Sequence, residues 1–271
     1  MEEPVLLIGC GKMGGAMLDG WLERGIPPEQ ITVIEPNPAA GEAFRCRAGL
    51  RILPSLDALE AACRPAVVIF AVKPQETGKV LAACRRFVGN DTVFLSIVAG
   101  KRIRFFEEGL GAGAAIVRAM PNMPAAVRRG ISVAFANPPV SDEQRALCQQ
   151  LLGAVGESDW VGEEGLLDVV TAVSGSGPAY VFLFTECLAK AGIKAGLPAS
   201  LAWRLAQVTV SGSGVLLHRS NEAPDILRQH VTSPGGTTEA ALKILLAGDG
   251  LQGLIDRAVA AAIARSRELG D

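Results

Sequence analysis

The sequence predicts an α/β first half, with a doubly wound and mostly parallel sheet, and an all-helical second half. Short apolar runs rich in valine and isoleucine recur in the first half, separated by stretches of helical composition. After about Trp160 these runs disappear and the periodicity of the apolar residues becomes helical. Strands that are apolar on both faces and alternate with helices are typical of parallel sheets. We therefore expect two domains, residues 1–160 and residues 161–271.

Each predicted element follows from its pattern of apolar residues. The strands are expected at Val5–Ile8, Ile31–Ile34, Ala66–Val72, Thr92–Ile97, Ala114–Val117 and Ile131–Ala136. The helices of the first domain are expected at Met13–Arg24, Pro38–Ala48, Thr77–Phe87 and Arg102–Gly109. Those of the second domain are expected at Glu164–Val173, Pro178–Gly192, Pro198–His218, Pro224–Gln229, Thr237–Ala247 and Leu251–Leu269. Proline fits the first turn of a helix, because the N–H that it lacks would be unpaired there, which supports the helix starts at Pro178, Pro198 and Pro224.

The composition of the chain limits the kinds of partner that the protein is expected to bind. A formal net charge of −2, from 26 basic and 28 acidic residues, gives no electrostatic footprint for nucleic acid or an anionic membrane. No signal peptide is expected, and the apolar stretch Ala179–Leu188 is interrupted by Glu186 and Lys190 before it reaches a membrane-spanning length. The six cysteines form no CxxC pair, and the only histidines are His218 and His230. We expect a cytoplasmic protein with reduced, mostly buried thiols, no metal site, and a small molecule or its own copies as partners.

The helix Pro198–His218 is apolar around most of its circumference, with Trp203, Val208 and Leu216 on different sides. Such a helix must be covered on all sides. A helical domain of this size cannot easily do so alone, which favours packing against a second subunit. The alternative is a central helix buried within one monomer.

A glycine-rich motif, Gly9-Cys10-Gly11-Lys12-Met13-Gly14, joins the first strand to the first helix. In this context Gly9 permits a tight turn, Gly11 lets a pyrophosphate approach the backbone, and Gly14 lets the helix pack close to the strand. The start of the helix supplies N–H groups and partial positive charge for the phosphates. The motif predicts a Rossmann-type doubly wound sheet that binds a dinucleotide, with Lys12 and Met13 beside it.

Glu35 ends the second strand, 21 residues after Gly14. An acid at this place accepts hydrogen bonds from the adenosine ribose and repels a 2′-phosphate. The cofactor is therefore NADH or NADPH, with NADH weakly favoured. Two alternatives remain open: Glu35 is only solvated, or Arg45 and Arg47 approach a 2′-phosphate.

Three more segments follow predicted strands, at the sheet edge where ligands bind in open α/β folds. The cofactor-binding residues expected there are Ala71, Val72, Lys73, Ala99, Gly100, Pro121 and Asn122. Lys73 could equally be a surface charge, and the segment Arg118–Pro124, with its two prolines, could be a structural turn.

Two segments of small residues precede helices in the second domain and are expected to be loops. Ser174–Pro178 leads into the helix expected from Ala179, and Thr232–Thr238 leads into the helix expected from Glu239. The second can hold a carboxylate without a basic side chain, since glycines let an anion approach the backbone N–H groups and threonine hydroxyls add donors. Ordinary helix capping is the alternative, although two glycines and two threonines exceed what capping needs.

Taken together, Gly9–Gly14, Ala71–Pro74, Arg118–Pro124, Ser174–Tyr180 and Val231–Thr238 resemble the motifs of pyrroline-5-carboxylate reductases, nearly over the full length. The resemblance implies a Rossmann domain followed by a helical domain that forms a homodimer, with dimers sometimes assembled into rings. It implies reduction of 1-pyrroline-5-carboxylate to L-proline by NAD(P)H, the last step of proline biosynthesis.

The resemblance also implies site residues. Thr238 is the catalytic residue nearest the imine nitrogen, as an orienting donor or proton conduit. Substrate-binding residues are Glu164, with Glu163 as the alternative, and Val231, Ser233, Gly235, Gly236, Thr237 and Thr238. The sequence departs from the family pattern at Lys12, Glu35 and His230.

Two other functions remain open at this point. A β-hydroxyacid dehydrogenase has a similar domain plan and needs a base, for which Lys190, Lys194 and Lys243 are available. A non-catalytic dinucleotide sensor would bind cofactor without turnover. The intact Ser233–Thr238 segment argues against the sensor, which needs no carboxylate cradle.

Overall fold

A computed structural model describes residues 4–89 and 91–270 of the chain. The described residues divide into two compact units. The first contains residues 4–175 and 263–270, and the second contains residues 176–262. The first unit thus extends beyond Trp160, and the chain returns to it at Ile263. A functional division into residues 1–160 and 161–271 stays a prediction, and its outer ends, Met1 and Asp271, lie outside the described residues.

The first unit is built on a sheet of eight strands among the described residues. They are β1 (Val5–Ile8), β2 (Ile31–Ile34), β3 (Arg51–Leu53), β4 (Val67–Phe70), β5 (Val93–Ser96), β6 (Ala115–Met120), β7 (Gly130–Ala136) and β8 (Gly156–Trp160). The spatial order is β3-β2-β1-β4-β5-β6-β7-β8. Neighbouring strands are parallel except β6 and β7, which are antiparallel. The predicted doubly wound, mostly parallel sheet is confirmed.

Helices cover this sheet. They are α1 (Lys12–Glu23), α2 (Pro38–Gly41), α3 (Pro74–Cys84), α4 (Ile103–Leu110), α5 (Asp142–Gly153) and α6 (Leu166–Val170). Short 3-10 turns lie at Pro28–Gln30, Glu42–Phe44, Leu56–Ala58, Arg85–Phe87 and Met123–Val127, and a π-helical turn lies at Thr171–Gly175.

The core has two layers because side chains of a strand alternate between the faces of the sheet. On one face Leu7 belongs to a buried cluster with Trp21 of α1 and Leu151 of α5. On the other face Leu6 belongs to a cluster with Phe106 of α4. Each fully buried side chain of this size contributes about 1.5–3 kcal/mol. The strands β1 and β4 pair in the interior of the sheet, where the chain reverses its direction of winding.

Several predicted boundaries differ from the structure. The helix expected over Pro38–Ala48 is only α2 followed by a 3-10 turn. Gly41 weakens the helix, and Phe44 is buried against α1, where a Cβ on Gly15 would lie 3.5 Å from its ring. Tertiary packing therefore overrides the helical composition. The strands β3 and β8 and the helix α5 were not predicted, because β8 is polar and β3 has only three residues.

The segment Ser174–Pro178 was expected to be a loop, and this prediction is wrong. Thr171–Gly175 forms a π-helical turn directly after α6, and the next helix begins at Gly177. Gly175 is required here, because a Cβ would lie 2.7 Å from the terminal methyl of Met120.

The second unit is helical, as predicted. It contains α7 (Gly177–Lys194), α8 (Ala199–Arg219), α9 (Pro224–His230), α10 (Thr237–Leu245) and most of α11 (Leu251–Gly270). The helices α7 and α8 form a hairpin closed by small residues, and a Cβ on Gly192 would touch Leu197 and Ala202 at 3.2 and 3.4 Å.

Large apolar side chains of α8 are exposed, with Val208 64% and Leu216 58% accessible. Only Ala202 and Ala206 of this helix are buried. The alternative in which α8 is the central helix of one monomer is therefore wrong. A surface of this kind requires a covering partner.

By length and composition, one helical stretch of the described residues, Leu166–Lys194, could cross a membrane; 17% of its most apolar window is buried. Glu186 and Lys190, the charged residues expected to interrupt it, lie within this stretch. The same test is passed by helices whose apolar surface packs against other protein.

Candidate active site

The glycine motif forms a tight turn between β1 and α1. Gly9 has φ +96°, and a Cβ there would lie 2.7 Å from the carbonyl oxygen of Ala71, which follows β4. A Cβ on Gly14 would lie 2.3 Å from the carbonyl oxygen of Gly9. Both glycines are therefore needed for the fold of the turn, in agreement with the sequence prediction.

Gly11 differs from the other two glycines, because a Cβ there would meet nothing within 4 Å. It is the N-cap residue of α1, and no side chain caps this helix start. Lys12, the first residue of α1, is exposed, whereas Met13 packs partly against the core. The first turn of α1 thus offers backbone N–H groups, partial positive charge and an ammonium group to an anion.

The carboxylate of Glu35 connects the glycine turn to the loop after β2. Its Oε2 accepts a hydrogen bond from the N–H of Cys10 at 2.7 Å, and its Oε1 accepts one from the N–H of Asn37 at 2.9 Å. Glu35 is half-buried and is therefore not merely a solvated strand-end acid. Each carboxylate oxygen keeps a further lone pair for a ligand hydroxyl.

A cavity of about 680 Å³ lies beside this carboxylate. The predicted cofactor residues that line it are Gly9, Gly11, Glu35, Ala71, Val72 and Lys73. Its lining also includes Asp57, Glu76 and Lys79, which the sequence did not predict. Asp57 follows β3, and the missed strand is the reason it was missed. A cavity of this size can accommodate part of a dinucleotide.

The other predicted cofactor residues lie outside the lining of this cavity. Gly100 follows β5 with φ +74°, next to Ala99, and a Cβ there would lie 3.0 Å from the carbonyl oxygen of Leu269. Pro121 and Asn122 follow β6. The N–H of Ile131 donates to the side-chain oxygen of Asn122 at 2.9 Å. The carboxamide of Asn122 therefore also orders the turn after β6.

Glu164 lies in the turn before α6 and is held by two donors. Its Oε1 accepts hydrogen bonds from the N–H of Ile103 at 2.8 Å and from the guanidinium of Arg118 at 2.9 Å. The side chain of Arg118 is 7% exposed and that of Glu164 is 22% exposed. Between the alternatives Glu163 and Glu164, the latter is thus fixed by a nearly buried ion pair, and its remaining oxygen is free of these two bonds.

The segment Ser233–Thr238 forms a turn followed by the start of α10. Gly235 has φ +71°, and a Cβ on Gly236 would lie 2.5 Å from the hydroxyl oxygen of Ser233. Gly236 is the N-cap residue, and no side chain caps α10. The N–H of Gly235 donates to the carboxylate of Glu239. This backbone donor therefore already accommodates one carboxylate. Thr237 and Thr238 occupy the first two positions of the helix, and Val231 is exposed before the turn.

Two of the three candidate bases of a hydroxyacid dehydrogenase, Lys190 and Lys243, pair with acids of their own helices. Lys190 pairs with Glu186 of the same helix, and Lys243 lies 3.2 Å from Glu239. His230 lies 3.5 Å from Glu222, with both side chains about half exposed. Among residues 4–89 and 91–270, no cluster of three metal-ligating side chains occurs.

The six thiols are free. Only Cys10, Cys84 and Cys148 are buried, so the expectation of mostly buried thiols holds for half of them. Burial, together with the charges of Glu35 and Asp19, raises the pKa of Cys10 to about 11. This thiol therefore stays neutral beside the glycine turn at physiological pH.

Known proteins resemble both the sequence and the structure. The family model described as pyrroline-5-carboxylate reductase dimerisation matches residues 164–269, and the model described as NADP oxidoreductase coenzyme F420-dependent matches residues 4–100. The pyrroline-5-carboxylate reductase of Pseudomonas aeruginosa is 38% identical over 98% of this chain and 97% of its own length.

Two solved structures extend this similarity. A pyrroline-5-carboxylate reductase from Coxiella burnetii has a TM-score of 0.93 and 33% identity, with both chains covered completely. The pyrroline carboxylate reductase of Plasmodium falciparum, solved with NADP bound, has a TM-score of 0.81 and 29% identity, again with complete coverage of both chains.

Proposed function

Because the chain belongs to the pyrroline-5-carboxylate reductase family, which reduces 1-pyrroline-5-carboxylate to L-proline with NAD(P)H, we propose which of its residues hold the two reactants and which cofactor it prefers. The observation that carries the cofactor site is the open backbone at Gly11, at an uncapped helix start, beside the cavity that Glu35 borders.

The dinucleotide site uses the turn after β1 and the loops after β4, β5 and β6. Gly9, Gly11 and Gly14 form the backbone cradle, and Lys12 and Met13 flank the pyrophosphate. Ala71, Val72 and Lys73 form the wall opposite Glu35, and the remaining cofactor residues are Ala99, Gly100, Pro121 and Asn122. When bound, the cofactor supplies the hydride for the C=N carbon of the substrate.

NADH is the preferred donor in this proposal. Two backbone N–H groups hold the carboxylate of Glu35 at the cavity, so it cannot swing away from a 2′-phosphate without losing both hydrogen bonds. Asp57 adds a second acid to the cavity lining. Arg45, by contrast, pairs with Glu42 at 3.2 Å. Fluorescence titration should give tighter binding for NADH than for NADPH; equal or tighter binding of NADPH would contradict this preference.

The segment Ser233–Thr238 holds the substrate carboxylate in this proposal, with Val231 beside it. The N–H of Gly235 already donates a hydrogen bond to a carboxylate oxygen of Glu239, which supports an anion at this turn. Gly236 keeps the turn tight, and the hydroxyls of Ser233 and Thr237 add donors. Glu164 approaches the ring nitrogen side of the substrate and stabilises its protonated form.

Thr238 orients the imine. A protonated imine is electrophilic without strong acid catalysis, so the residues need mainly to align the two reactants. The half-buried hydroxyl of Thr238 can donate to or accept from the ring nitrogen and pass a proton to it.

The role of Thr238 is tested with a pair of substitutions. Thr238→Ala should lower kcat/KM for 1-pyrroline-5-carboxylate by about tenfold or more, the value of one well-placed hydrogen bond. Thr232→Ala is the control, because the Thr232 hydroxyl lies after the end of α9 and donates to the carbonyl of Arg228 in that helix. Equal kinetics for Thr238→Ala and the wild type would remove Thr238 from the mechanism.

The carboxylate cradle is tested with 1-pyrroline, which lacks the carboxylate. The wild type should use it with a KM at least about tenfold higher, since a charged hydrogen-bonded group is lost. Similar KM values for the two imines would show that the cradle serves another purpose.

The protein is a homo-oligomer with a small-molecule substrate, as expected from its dimerisation domain. We further propose that the exposed face of α8 forms the homodimer, that dimers can assemble into a ring, and that the enzyme works in the cytoplasm.

A further inference from the structure

A buried hydrogen bond joins two polar residues that are 98 positions apart. The hydroxyl of Ser266 donates to Oδ1 of Asp168 at 2.7 Å. Asp168 is 3% exposed and Ser266 is 7% exposed. Ser266 is the residue of α11 that is buried, although the helix is rich in alanine and isoleucine. A hydroxyl in the one buried position indicates a specific interaction, because an apolar residue would fill it more simply.

The same carboxylate faces the loop after β5. Oδ2 of Asp168 lies 3.6 Å from the guanidinium of Arg102. The last described turn of α11 packs on this loop, since a Cβ on Gly100 would lie 3.0 Å from the carbonyl oxygen of Leu269. A Cβ on Gly270 would lie 2.9 Å from Nε of Arg102. Asp168, Ser266 and this turn therefore fix the position of Arg102.

Arg102 is followed by Ile103, which begins α4 and donates its N–H to Glu164. Two adjacent residues of one helix start thus hold two acids that are four positions apart. Arg102 faces Asp168 through its side chain, and Ile103 binds Glu164 through its backbone. Any movement of this helix start changes both contacts together.

We propose that Asp168 and Ser266 are positioning residues for the reductase reaction, which act through the start of α4 on the carboxylate of Glu164. This inference rests on the proposed role of Glu164 at the substrate. Without the hydroxyl of Ser266, the buried carboxylate of Asp168 lacks a donor and turns further towards Arg102. The N–H of Ile103 then shifts relative to Glu164, and a misplacement of this size at a reacting centre is costly.

The test compares three variants with the wild type. Ser266→Ala removes the hydroxyl, and Ser266→Thr retains it. Thr92→Val is the matched control, because it removes a buried hydroxyl that donates to the carbonyl of Pro65 at 2.7 Å, before β5, at the opposite edge of the sheet. Steady-state kinetics with 1-pyrroline-5-carboxylate are measured, together with hydrogen exchange of the Ile103 amide, which needs no turnover.

Ser266→Ala should lower kcat/KM for the imine about tenfold and accelerate exchange of the Ile103 amide by a similar factor, as expected for loss of a hydrogen bond to a charged group. Ser266→Thr should keep kcat/KM and the exchange rate of the Ile103 amide within about threefold of the wild-type values. Thr92→Val should change neither quantity by more than about twofold. If Ser266→Ala does not fold, Asp168→Asn replaces it, with the same expected decrease.

Two results would overturn the inference. One is a kcat/KM for Ser266→Ala equal to that of Thr92→Val, which would make the hydrogen bond merely structural. The other is unchanged exchange at Ile103. A wild type inactive on the imine would instead overturn the proposed function, and the exchange measurement would still test the coupling between Ser266 and Ile103.

Discussion

Glu35 is both a fixed acid at the proposed cofactor cavity and a connection between two loops, and two substitutions separate these roles. Glu35→Gln removes the charge and keeps an oxygen for one of the two N–H groups of Cys10 and Asn37. It should raise the NADPH affinity about tenfold and change the NADH affinity less. Glu35→Ala should weaken both cofactors, because the glycine turn loses its connection.

The measurement for both Glu35 variants is a fluorescence titration with NADH and with NADPH. A Glu35→Ala protein that binds NADH as well as the wild type would show that the two hydrogen bonds do not order the turn.

The glycines of the first motif provide a matched pair of predictions. Gly11→Ala adds a Cβ in open space, so the melting temperature should stay near that of the wild type while dinucleotide binding is lost. Gly14→Ala places a Cβ 2.3 Å from the carbonyl oxygen of Gly9, so it should destabilise the fold by several kcal/mol, as overpacking does. Thermal unfolding and cofactor titration of both variants test these two predictions. Equal stability of Gly11→Ala and Gly14→Ala would contradict the steric role given to Gly14.

The steric roles of Gly9 and Gly14 were predictable from the sequence because each depends on backbone geometry within a short motif. Asp57 was not, since it reaches the cavity through a three-residue edge strand that periodicity cannot detect. The Arg118 to Glu164 ion pair is equally invisible, because its partners are 46 residues apart and meet only through the fold.

Among the secondary-structure elements, strongly apolar ones were predicted well and polar ones were not. The strands β1 and β2 begin and end where expected, since runs of valine and isoleucine are buried on both faces. The helix α5 was missed although Ser141 and Gln144 form a capping box at its start, which is a signal that the sequence does contain. The π-helical turn at Thr171–Gly175 has no such local signal.

The exposed apolar face of α8 leads to a prediction about the interface of the homodimer. Val208 is 64% exposed in one chain and lies on the face proposed to be buried in the homodimer. Val208→Glu should therefore raise the Kd of the homodimer at least about tenfold, because burying a charge is unfavourable. The neighbouring Gln207→Glu adds the same charge at a polar position and should retain the dimer. Analytical ultracentrifugation distinguishes them; an unchanged dimer of Val208→Glu would exclude this face.

For the whole molecule, three buried thiols predict how the free energy of unfolding decreases at alkaline pH. Burial raises the pKa of Cys84 and of Cys148 from the ordinary value of 9.0 to about 12. The pKa of Cys10 is raised to about 11. Between the unfolded and the folded values, the folded state binds more protons. The stabilisation is thus complete below pH 9 and is lost as the pH rises towards 12.

Each such thiol should contribute a slope of about −1.4 kcal/mol per pH unit in that window. Urea unfolding from about pH 8 to pH 11 measures the slope, and Cys148→Ala should reduce it by about one third, since one of three thiols is removed. An unchanged slope in this variant would mean that other groups govern alkaline unfolding.

The most direct test of the central claim is the initial rate of NADH and of NADPH oxidation with 1-pyrroline-5-carboxylate, measured together with the L-proline formed. The structure predicts one proline per reduced cofactor consumed and a higher kcat/KM with NADH, because Glu35 is fixed at the cavity. Oxidation of neither cofactor with this imine would contradict the reductase site, and a higher kcat/KM with NADPH would contradict the role given to Glu35.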